Sequence, residues 1–118
     1  MENQITTFFS EKIAACQAAV TALNADHRAD EAVFEKIRMN VYDIFRQVNQ
    51  AAAQVSGGDE AKRREFLLHR LENIPASWKT AYDTAAQHGN TGRMHIEQLK
   101  LDTVEEIKQK VLEWSEAQ

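Results

Sequence analysis

The strongest pattern in the chain lies between Phe34 and Val55, where Phe34, Ile37, Val41, Ile44, Val48, Ala51 and Val55 follow one another at alternating steps of three and four. That spacing is a heptad seam, and it predicts an amphipathic helix. Val33 and Phe45 widen the seam into the broader apolar face of a helix that packs in a bundle. Ser56-Gly57-Gly58-Asp59 ends it: paired glycines supply left-handed backbone at a helix stop, and Asp59 can cap the next start. Upstream, Ile5, Phe9, Cys16, Val20 and Leu23, with Ile13 beside them, predict a first helix from about Ile5 to Leu23. Five alanines around this stripe favour helix and permit close approach of a neighbour. Residues 24–29 form a short connection, after which Asp26 or Asp30 is the expected N-cap.

A third pattern, Leu67, Leu71, Ile74, Trp78, Tyr82 and Ala85, keeps its phase through Pro75. Proline removes a helical hydrogen bond and crowds the preceding turn, so a kinked helix is expected, or two helices meeting near Asn73-Ile74-Pro75. His88-Gly89-Asn90-Thr91-Gly92 marks the next stop. Met94, Ile96, Leu99 and Leu101 fit neither helix nor strand spacing cleanly, which leaves 93–101 open between a short helix and an extended lead-in. Asp102-Thr103-Val104-Glu105 resembles a capping box, and Val104, Ile107, Val111 and Trp114 predict a last helix from about Thr103 to Ser115. No run alternates β-branched or aromatic residues between hairpin turns. The expectation is an all-α fold: an antiparallel bundle of four main helices, the third kinked or broken near Pro75, forming a single domain over residues 1–118.

Composition narrows the function classes. The 118 residues are 43% hydrophobic and 27% charged with a net charge of -4, ordinary for a folded chain and lacking the general basic field of nucleic-acid binders. The one cysteine, Cys16, excludes an intrachain disulfide and a thiolate zinc site, which fits a reducing, cytoplasmic setting. The start Met1-Glu2-Asn3-Gln4 lacks the pattern of a secretory signal, and no apolar stretch approaches the roughly 20 residues needed to cross a bilayer. No membrane partner is expected.

Candidate chemistry is thin. Glu65, His69 and Glu72 share a helix face, but at ~100° per residue it lies opposite Leu67, Leu71 and Ile74 and should meet solvent. No metal site is assigned. Cys16 sits among Phe9, Val20 and Leu23, where a thiol is inert packing and not a nucleophile. Neither a phosphate-cradling glycine loop nor a Gly-x-Ser-x-Gly elbow is present, so the sequence points to no catalytic or cofactor-binding residue and away from an enzyme. Lys62-Arg63-Arg64 is a basic run diluted by Glu60, Glu65 and Glu72, a weak alternative nucleic-acid contact. A second alternative is a small-molecule or catalytic site between helices, with Trp78, Tyr82, His88 and Trp114 around an apolar pocket.

The leading expectation is a non-enzymatic helical bundle that associates with itself or with a protein partner. Phe8, Met39, Phe66 and Leu112 fall off the seams, and Met39 and Phe66 are the expected interface anchors. No motif imports an activity by resemblance.

Overall fold

The computed structural model describes the backbone of residues 2–116 and the side chains of residues 4–114. It is all helical over the described residues: α1 Glu2–Ala25, α2 Ala29–Ser56, α3 Glu60–Asn73, α4 Ala76–Gln87 and α5 Thr91–Glu116. A bend of only 16° joins α3 to α4, so the bundle has four helices, the third of them broken near Pro75. Pro75 lies at the start of α4 with φ -73° and ψ -6°, and its carbonyl accepts from the amides of Trp78 and Lys79. The ring thus sits where its missing N–H costs least, which is why the apolar phase runs through it.

The stops follow backbone chemistry. Gly57 takes φ 58° at the end of α2 and Gly58 takes φ 92°, conformations that a Cβ disfavours. Asp59 then accepts from the amides of Ala61 and Lys62 and caps α3. At the end of α1, His27 adopts φ 59°, and the Arg28 amide closes on the Leu23 carbonyl at 2.8 Å.

Two expectations about helix starts are overturned. Arg28, not Asp26 or Asp30, occupies the N-cap of α2, and no side chain caps it; Asp30 instead falls in the first turn, where its charge meets the positive end of the dipole. Nor does a helix begin at Thr103. Residues 93–101 are helical within α5, and the Thr103 hydroxyl donates back to the Leu99 carbonyl at 2.8 Å inside it.

The core gathers Ile5 and Phe9 from α1, Val41, Tyr42 and Phe45 from α2, Leu67 and Leu71 from α3, and Val104, Ile107 and Val111 from α5. Trp78 of α4 and Ile74 pack against it. Burying each large side chain of this kind contributes about 1.5–3 kcal/mol. Helix directions follow from cross-contacts. Phe34 meets His95 edge-on at 4.8 Å and Tyr42 meets Glu106, so α2 and α5 run the same way; Phe8 meets Trp114 at 5.5 Å while Lys12 meets Glu106, so α1 and α5 run oppositely.

The bundle is flat. Its extents are 44 × 36 × 23 Å, and the short dimension is about two helix diameters. Its radius of gyration is 15.7 Å, against about 13.5 Å for a compact chain of this length. A two-layer slab leaves part of the outer face of α2 without a helix over it.

Candidate functional site

The seam of α2 is not its most buried face. Tyr42, Phe45, Asn49, Ala52 and Ser56 are buried, displaced around the helix from the heptad positions. Ile37, Val48 and Ala51 are half-buried, and the large hydrophobics that stay exposed among the described residues are Val33 (48%), Ile44 (36%) and Val55 (64%). All three belong to α2, spaced eleven residues apart. Eleven residues are three turns plus about 20°, so they form one line along the helix, about 33 Å from end to end.

α3 extends that line into a groove. Ile44, Val48 and Ala51 form one wall, and Phe66, Arg70 and Ile74 the other. Toward the C-terminal end of α2 the lining passes to Val55 and Ser56 with Lys62, Glu65, Phe66 and His69. Phe66 therefore borders both stretches. The Arg70 guanidinium lies 5.1 Å from its ring centroid, a cation–π contact that leaves the edge of the ring in the groove. Lys62 and Arg70 make no ion pair among the described residues, and with exposed Glu65 between them the rim is mixed in charge.

Of the two anchors expected from sequence, Phe66 lies in this groove, half-buried, while Met39 packs against the core cluster. At ~100° per residue, Met39 is turned about 140° from Ile44, on the α1 side of α2. Phe8 is also core, in edge contact with Phe9, Tyr42 and Trp114.

The other groupings do not assemble. Lys62-Arg63-Arg64 splits: Lys62 is exposed, Arg64 is half-buried, and Arg63 turns inward at 3% exposure to donate to Asn49 Oδ1 at 3.0 Å. Trp78 packs beneath Lys100 and Trp114 against Phe8; those two α5 neighbours are 14 residues, or about 21 Å, apart. Tyr82 is half-buried and His88 exposed at the end of α4, so the four do not share a pocket. Glu65, His69 and Glu72 are exposed; His69 bonds Asn73, and Glu72 accepts from Lys108 at 2.5 Å. Among the described residues no group of three or more His, Cys, Asp or Glu is placed to hold a metal ion. No helix among them is long and apolar enough to cross a membrane.

One polar cluster escaped the sequence pattern. Between α1, α2 and α5, the Tyr42 hydroxyl donates to Glu106 Oε1 at 2.5 Å and accepts from Arg38 at 3.3 Å. Arg38 pairs with Glu35, and Lys12 approaches the other oxygen of Glu106 at 3.9 Å. Burial, reinforced by the Glu106 carboxylate, drives the phenol well above its ordinary range. Burial also raises the Cys16 thiol, with the charge of Glu35 adding to it. A phenol and a thiol held protonated are clamps and filler, not nucleophiles. The signal that could have found Tyr42 is its place one step beyond Val41, on the arc that also carries Phe45 and Asn49.

Comparison with known protein families, with curated proteins and with solved structures gives no match. The α2/α3 face is the candidate site on its own geometry.

Proposed function

We propose that this chain is a non-enzymatic, cytoplasmic association module that works by presenting the outer face of α2, with Phe66 beside it, to another protein surface. The observation that carries this reading is the alignment of Val33, Ile44 and Val55 on one face, continuous with the Phe66 groove. Scattered exposed hydrophobics are normal on a soluble surface, but a line of them along one helix is an interaction face. Such faces dock apolar anchors into grooves, and charges on the rim set orientation and encounter rate more than affinity.

The test is site-specific photocrosslinking in cells, with a photoreactive residue in place of Val55 and, as control, in place of the exposed Gln109 on α5. Protein adducts at position 55 and none at 109 are expected. Equal labelling at both positions, or none at 55, would overturn the reading.

A further inference from the structure

We infer that residues 76–102, α4 with the first half of α5, form a strap that opens as one unit while the rest of the bundle stays folded, and that the buried carboxylate of Glu97 keeps it close to opening. The α2/α3 groove lies outside the strap, so this inference stands apart from the association reading.

Burial divides the chain at these limits. Between Ala76 and Asp102 just Ala85 and Glu97 are buried, a small side chain and a charged one. The large side chains that make the core, Phe9, Tyr42, Leu67 and Ile107 among them, all lie outside. The strap's hold on that cluster is Trp78, which is half-buried. Its ion pairs, Arg93 and Lys100 with Glu97, are internal to it, and the exposed His95 meets Phe34 of α2 edge-on. A helical segment with so little buried apolar surface opens locally at a lower free energy than the whole fold.

Glu97 faces the seam within the strap. Lys108, eleven residues on and about 20° round the helix, meets Glu72 of α3; Val104, seven residues on, is about 20° to the other side. α4 continues the line of α3 and sets Trp78 against Lys100, so Glu97 lies one turn further along, beneath the middle of α4. Closing the strap therefore strips water from a carboxylate, and Oε2 receives no hydrogen bond among the described residues in exchange. Opening rehydrates it.

Both ends are already loosened. At Pro75, where α3 gives way to α4, the helical ladder lacks a donor. At the other end the Thr103 hydroxyl bonds back to the Leu99 carbonyl, an arrangement at which helices bend.

Hydrogen exchange of the native full-length chain, resolved to single amides, tests the device. The amides of α4 and of residues 95–102 are expected to exchange through one common opening, at least about tenfold faster than those of residues 41–52 and 107–111. Ile5→Val, in the α1 part of the core, should speed the slow core amides and leave the strap's rate unchanged, because the strap opens with α1 still packed. Glu97→Met should slow the strap about tenfold. Strap amides that exchange together with the core, or that follow Ile5→Val, overturn the independent unit. An unchanged strap rate in Glu97→Met overturns the role of the carboxylate.

Discussion

The Tyr42 hydroxyl donates to the Glu106 carboxylate across 64 residues of sequence and ties α2 to α5 at the centre of the slab. Tyr42 is 0% exposed, so its ring fills the core while its oxygen joins a polar cluster with Glu106 and Arg38, which Lys12 approaches from α1. Tyr42→Phe keeps the ring and removes the clamp, and should cost about 1–2 kcal/mol in urea unfolding. The cost is pH-dependent. The folded phenol titrates above its ordinary value of 10.0, so the unfolded chain loses the proton first as pH rises. The contribution is whole below pH 10.0 and drains above it. The stability gap between the native chain and Tyr42→Phe should therefore hold steady up to the ordinary phenol value of 10.0 and shrink as pH rises above it; a gap that stays constant above that value would show that the hydroxyl is not held this way.

Cys16 reports on the same interface from α1. It is 4% exposed with a raised thiol pKa, so both access and thiolate fraction are low in the folded chain. Alkylation at neutral pH should run about a hundredfold or more below the rate in urea, limited by opening of the α1/α2 pair. Rapid native labelling would mean that α1 swings free of α2 far more often than this packing permits.

The caps separate two aspartates that look alike in sequence. Asp59 accepts from two amides at the start of α3, so Asp59→Ala should cost about 1 kcal/mol. Asp30 makes no cap bond, and Asp30→Ala should change stability by less than about 0.5 kcal/mol when measured where the chain is monomeric. Similar losses in both variants would place a cap at Asp30 after all.

These contrasts show what the sequence could convey. Helix content, the Gly57-Gly58 stop and the break at Pro75 were legible because local chemistry decides them: left-handed backbone, a missing N–H, a three-four apolar period. The facing of α2 was not. Its heptad seam is apolar throughout, yet Val55 is 64% exposed while Asn49 and Ser56, polar and off the seam, are buried. The reason is tertiary: Asn49 is held by Arg63 from α3, and Tyr42 by Glu106 from α5, partners no periodicity reveals. The same facing turns Met39 against the core, and on α1 Phe8, which also looks superficial in sequence, lies within it. Phe66 is the one expected anchor that borders the exposed line.

Glu97 is the residue whose burial has least support. It stands on the inner stripe of α5 at 0% exposure; Oε1 pairs with Arg93 at 2.9 Å and Lys100 at 3.3 Å, while Oε2 has no hydrogen-bond partner among the described residues. A buried ion pair returns its desolvation cost only when the remaining lone pairs are satisfied. Here they are not. Its cations do not depend on it: the Arg93 side chain is 54% exposed, and the Lys100 ammonium lies 5.5 Å from the Trp78 ring centroid. Glu97→Met, which keeps the length and removes the charge, should therefore be neutral or stabilise the fold by up to about 2 kcal/mol, with both cations rehydrating. Glu97→Ala should destabilise it by leaving a cavity. Thermal and urea unfolding of the two variants decide the matter. A loss of more than about 1 kcal/mol in Glu97→Met would show that the ion pairs outweigh the stranded oxygen.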